Sequence, residues 1–243
     1  MNYDEGYQYG LGAFETINIV NQRALFLKEH IERLNKTLEF LNIAKAVTQE
    51  DVHNFLKKNN SGCYALKIIA SEKNVIFKLR INPYVERNYE KDGFVMNYSK
   101  IRRNETSPLV YHKTLNYGEC ILEKRRALCM NMDDMLFLNG EGFLAEGTTC
   151  NIFFVKNGEL YTPDISCGIL PGIIRNHICQ EYKVIESFIL PGEVPNFEEC
   201  FVTNSLMGIM PVNKLGEKEF CNEGITNTIK QKYFHDINNG RFS

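Results

Sequence analysis

No stretch of the 243 residues approaches the run of about 20 apolar residues that a membrane helix needs, so no membrane partner is expected. The basic excess of a general nucleic-acid binder is missing too. Twenty-eight Lys and Arg face 30 Asp and Glu, a net charge of −2, and no nucleic-acid partner is expected. The opening MNYDEGYQYG is acidic and polar and lacks the basic and apolar regions of a signal peptide, which gives a cytoplasmic expectation. Cysteines 63, 120, 129, 150, 167, 179, 200 and 221 include no Cys-x-x-Cys pair, and the histidines at 30, 53, 112, 177 and 235 include no metal-spaced pair. A disulfide framework and a zinc cluster are both disfavoured, and most of the cysteines read as small buried hydrophobes.

What is present is ordinary soluble-protein material, 44% hydrophobic and 24% charged, in a length that suits one large domain or two compact ones. Phe14 to Val20 and Arg23 to Leu27 flank Asn21-Gln22 as a candidate hairpin. From Leu27 to Leu41 the apolar positions Ile31, Leu34, Leu38 and Leu41 recur at helical spacing. Thr48-x-x-Asp51 reads as a capping box opening a second helix. Strands are expected at Tyr64–Ala70, Val75–Ile81 and Phe94–Tyr98. The polar stretch Ser99 to Ser107, ending at Pro108, reads as a linker.

Beyond it, a helix is expected from Leu115 to Leu128, followed mainly by strands. Two of these are joined by Asn157-Gly158, a strong hairpin signal. Pro171-Gly172 opens a helix running through Tyr182, and another closes the chain around Ile225, Ile229 and Phe234. The expected architecture is α/β (α+β): a small N-terminal α/β domain over 1–105 and a larger C-terminal one over 106–243.

Four segments, taken in order, carry more than their spacing. They are GLGAFETI (10–17) with HIERL (30–34), KTLNY (113–117), LAEGTTCNIFFVKNGELYTP (144–163) with GILPGIIR (168–175), and FVTNSLMGIMPV (201–212). Together they resemble the class IV pyridoxal-phosphate (PLP) family, which includes branched-chain and D-amino-acid aminotransferases and 4-amino-4-deoxychorismate lyase. The resemblance implies fold-type IV, PLP as cofactor in a cleft between the domains, a homodimer and a small-molecule substrate. Lys113 matches the family's Schiff-base lysine, a role that suits a side chain whose pKa shifts readily on burial. Glu146 matches the carboxylate facing the pyridine nitrogen, and Arg33 the arginine that holds the phosphate. Gly172 and Ile173 open a helix whose free N–H groups and dipole favour an anion. Asn204 and Ser205, after Thr203, stand where the family has its second phosphate loop. Tyr117 matches a tyrosine beside the cofactor.

The reaction is less sharply marked. GLGAFETI resembles the lyase version of its motif. Branched-chain aminotransferases usually read Phe-Glu-Gly followed by an arginine, whereas here Thr16 follows Glu15 and Asn18 holds the arginine's place. IRRN (101–104) before KTLNY also looks like lyases of Gram-positive type. The first expectation is therefore an aminodeoxychorismate lyase releasing pyruvate and p-aminobenzoate, with the Thr16 hydroxyl near the departing group. An aminotransferase acting on D- or branched-chain amino acids is the alternative. A non-catalytic protein on the same scaffold is a third, suggested by the short segment ahead of GLGAFETI. D-amino-acid aminotransferases often carry Arg-Gly for the substrate carboxylate where this chain has Ser71-Glu72, leaving Arg80, Arg102 and Arg103 as candidates.

Overall fold

In the computed structural model, which describes residues 2–59, 64–85 and 93–242, two hairpin signals and one helical stripe lie where the sequence puts them. The chain divides into two units. One comprises Met1–Glu86, His112–Tyr117 and Asp236–Ser243; the other comprises Arg87–Tyr111 and Gly118–His235.

The first unit begins with a short helix, α1 (Glu5–Tyr9), and strand β1 (Gly12–Val20). They are followed by β2 (Arg23–Ala24), α2 (Leu27–Phe40), α3 (Gln49–Lys58), β3 (Tyr64–Ser71) and β4 (Val75–Ile81). Its antiparallel sheet runs β2-β1-β3-β4. Asn21 and Gln22 both take positive φ, 48° and 65°, which matches the right-handed twist of the flanking strands. Alternation along β1 and β3 sends Ala13, Ile17, Leu66 and Ile68 into one core with Ile31, Leu34 and Leu38 of α2. Each such Leu or Ile contributes about 1.5–3 kcal/mol by its burial. The expected capping box forms, with Asp51 N–H on Thr48 Oγ1 at 3.1 Å and Thr48 N–H on Asp51 Oδ2 at 2.8 Å.

The second unit holds β5 (Phe94–Arg103), α4 (Gly118–Cys129), β6 (Asp134–Asn139), β7 (Leu144–Gly147), β8 (Asn151–Lys156) and β9 (Glu159–Pro163). Helix α5 (Ile173–Glu181), strands β10 (Val184–Ser187), β11 (Glu199–Asn204), β12 (Gly208–Leu215) and β13 (Lys218–Glu219), and α6 (Ile225–Asn238) complete the order. The nine-stranded sheet runs β10-β9-β8-β11-β12-β5-β6-β7, with β13 on β12. Among the described residues, no helix is long and apolar enough to cross a membrane.

Two expectations are corrected. Ser99 to Arg103, read as linker, is the second half of β5, so the strand expected in the first domain belongs to the larger sheet and residue 105 is no boundary. Its polar residues are tolerated because they have partners: Ser99 Oγ donates to Glu123 and Arg103 Nη2 to Glu146, each at 2.6 Å. The helix expected from Leu115 starts only at Gly118. Before it, the backbone serves β1 instead, with Phe14 N–H donating to Lys113 O at 3.0 Å and Leu115 N–H to Gly12 O at 2.8 Å.

Candidate functional site

In the first unit, β1 and α2 meet through a buried ionic cluster. Glu15 shares the inward face of β1 with Ala13 and Ile17 and is fully buried. A carboxylate there needs charged donors. Arg33 supplies two, Nε to Oε1 at 2.6 Å and Nη2 to Oε2 at 2.9 Å, and His30 Nδ1 lies 2.7 Å from Oε2. Burial pushes the Glu15 carboxyl up, but Arg33 and His30 outweigh it and hold it well below the usual carboxylate range. Burial pushes the His30 imidazole down, against the pull of Glu15. A neutral His30 that donates through Nδ1 has an acceptor lone pair at Nε2, which is buried and without a hydrogen-bond partner among the described residues. Arg33, next to Leu34 at the edge of the buried stripe, therefore has its guanidinium orientation fixed from behind.

The loop over 112–117 places Lys113 beside β1. Its Nζ lies 4.5 Å from the centroid of the Phe14 ring and 5.3 Å from that of Tyr117, and these two rings meet edge to face at 5.1 Å. Lys113 is half-buried, as is Thr16, two residues from Phe14 on the same face of β1. Thr16, Arg33, Lys113 and Tyr117 thus share the first unit, while Glu146, Gly172, Ile173, Asn204 and Ser205 belong to the second.

In the second unit, Glu146 is buried on β7 with both oxygens engaged. Oε1 accepts from Arg103 Nη2 at 2.6 Å, and Oε2 from Leu170 N–H at 3.1 Å and Asn151 Nδ2 at 3.3 Å. Arg103, a candidate for the substrate carboxylate on sequence grounds, is engaged here instead. Asn151 also donates to Leu170 O at 2.9 Å, tying β8 to the segment that leads into α5. Gly172 caps α5, and a Cβ on it would stand 2.0 Å from Asn151 Oδ1, so this close approach requires glycine. Among the described residues no side chain caps α5, and the first N–H groups, those of Ile173 and Ile174, have no acceptor within the helix.

The turn after β11 divides its residues differently from the expectation. Asn204 Oδ1 accepts from Leu206 N–H at 3.0 Å and Met207 N–H at 2.9 Å, so its carboxamide shapes the turn itself. Ser205 is half-buried. The residue with spare capacity is Thr203, whose buried Oγ1 has no hydrogen-bond partner among the described residues. Glu15, His30 and Asn151 lie inside the recognised motifs, but only the fold reveals what they hold.

Residues 12–215 match the family model described as amino-transferase class IV. A putative branched-chain-amino-acid aminotransferase of Methanocaldococcus jannaschii is 30% identical, covering 97% of this chain and 90% of its own length. An aminodeoxychorismate lyase of Bacillus subtilis is 27% identical, over 98% and 89%. The crystal structure of a putative 4-amino-4-deoxychorismate lyase from Legionella pneumophila superposes with a TM-score of 0.86 at 29% identity, covering 97% of this chain and 95% of that one. With a family match over most of its length and relatives of both activities spanning nearly the whole chain, this protein belongs to the class IV aminotransferase family of PLP-dependent enzymes.

Proposed function

We propose that this protein is a cytoplasmic, homodimeric 4-amino-4-deoxychorismate lyase that uses PLP to release pyruvate and p-aminobenzoate. The observation that carries the reading is at residue 18. Where branched-chain aminotransferases usually place an arginine, this chain has a buried Asn18 whose Oδ1 accepts from Asn82 Nδ2 at 3.1 Å. The lyases of Bacillus subtilis and Legionella pneumophila support it further. An aminotransferase acting on branched-chain or D-amino acids is the second reading, favoured by the Methanocaldococcus jannaschii relative.

The residues fit the cofactor. A half-buried lysine, a buried and oriented carboxylate, an uncapped helix start and an orphaned hydroxyl are the groups that an aldehyde, a pyridine nitrogen and a phosphate need. PLP, when bound, supplies an electron sink for charge released at the substrate. Lys113 would hold the cofactor through its side-chain amine, and that amine would move protons between the substrate ring and the departing fragment. Glu146, oriented by Arg103, Asn151 and Leu170, holds a proton at the pyridine nitrogen. Arg33, the N–H groups of Gly172 and Ile173, and the turn containing Asn204 and Ser205 hold the phosphate. Tyr117 braces Lys113, and the Thr16 hydroxyl orients the departing group.

The deciding experiment supplies PLP and compares p-aminobenzoate release from aminodeoxychorismate with amino transfer from D- or branched-chain amino acids to a keto acid. Release without transfer is the expected result; transfer without release refutes the lyase. A second test concerns Thr203. Thr203→Val removes a hydroxyl that has no partner among the described residues, so thermal stability of the PLP-free protein stays level or rises. PLP affinity, read by fluorescence titration, falls about tenfold through loss of a hydrogen bond to a charged group. Unchanged affinity excludes Thr203 from the phosphate site.

A further inference from the structure

Period-2 alternation gives the first unit's sheet two unlike faces. One is the core against α2. The other carries Phe14 and Thr16 of β1, Lys67 of β3, and Lys78 and Arg80 of β4. The register sets Lys67 directly across from Thr16 on one side and from Lys78 on the other. Lys67 Nζ lies 4.8 Å from the centroid of the Phe14 ring, the ring that Lys113 Nζ approaches at 4.5 Å. Two ammonium groups thus stand about one phenyl ring. Both gain from its π face, yet neither neutralises the other.

Lys67 is half-buried, and among the described residues no carboxylate pairs with it or with Arg80. Burial, and then the charge of Arg80, push the Lys67 amine below its usual range. A partly desolvated cation beside a second cation is a costly arrangement until an anion joins it. One of the arginines named as a candidate for a substrate carboxylate is already engaged. Arg103 is engaged by Glu146, and Ser71, at the place where D-amino-acid aminotransferases often carry their arginine, donates to Asp4 at 2.6 Å.

We propose that Lys67 receives a substrate carboxylate lying across a ring from the amine presented to Lys113. Phe14 supports the ring, and Thr16 lies between the two ends. The substrate class is a ring-bearing amino acid whose amine and carboxylate sit at opposite ends. An α-amino acid carries both groups on one carbon and does not place a ring between them. The inference rests on the reading of Lys113 as the residue that holds the cofactor, from which the substrate amine would displace it.

The test measures calorimetric binding of 4-aminobenzoate and of its neutral carboxamide to the PLP-loaded protein. The wild type is expected to prefer the carboxylate about ten- to a hundredfold, the effect of one hydrogen bond to a charged group. Lys67→Gln is expected to erase the preference and Lys67→Arg to keep it, with PLP absorbance unchanged in both. Should Lys67→Gln fold poorly, Lys67→Met is measured in its place with the same expectation. A preference that survives removal of the charge overturns the proposal, as does failure of the wild type to bind the carboxylate. Failure of the lyase reading is seen separately, as absence of p-aminobenzoate release.

Discussion

Replacing Lys113 with alanine is expected to lower p-aminobenzoate release at least about 10³-fold, within the range contributed by a positioned proton-transfer group. The loss should fall on kcat rather than on folding. The backbone carbonyl of Lys113, which accepts from Phe14 N–H, survives the substitution. The far-ultraviolet circular dichroism should match that of the wild type, and urea unfolding should differ by no more than about 1 kcal/mol, the scale of the ammonium's contacts with Phe14 and Tyr117. Turnover within tenfold of wild type would remove Lys113 from the chemistry.

Glu15→Gln carries the largest expected effect on stability. The substitution keeps the shape but removes the Glu15 charge that faces the Arg33 guanidinium, which is 13% exposed. Breaking a buried ion pair on one side costs about 3–5 kcal/mol, and the partial exposure of Arg33 favours the lower figure. Urea denaturation of both proteins at neutral pH measures it. The pH dependence has a definite sign. The Glu15 carboxyl is held below its unfolded value, so its contribution is complete above the usual glutamate range and disappears as pH falls through the folded value. Wild type and Glu15→Gln should therefore converge in stability on acidification. A constant difference down to strongly acidic pH would show that lost packing, not charge, is responsible.

Local signals were the legible part. Asn21-Gln22 and Asn157-Gly158 adopt the positive φ values that tight hairpins need, and the spacing of Ile31, Leu34 and Leu38 marks the face of α2 that is buried. Ordered motifs singled out Lys113, Glu146 and Arg33 as candidates. What the sequence concealed was pairing across distance. Glu15 reads as a polar residue in a strand until α2, 15 and 18 residues further on, brings His30 and Arg33 to it. Ser99 and Arg103 resemble linker because their partners, Glu123 and Glu146, are 24 and 43 residues away. Lys67 looks like any strand lysine until the register sets it opposite Thr16 and over Phe14.

Borohydride reduction of the PLP-loaded protein, followed by peptide mapping, tests the placement of the chemistry most directly. One stable pyridoxyl label on the peptide containing Lys113, absent from Lys113→Ala, is the expected result. A label on another lysine, or none on folded protein that has bound PLP, would contradict it.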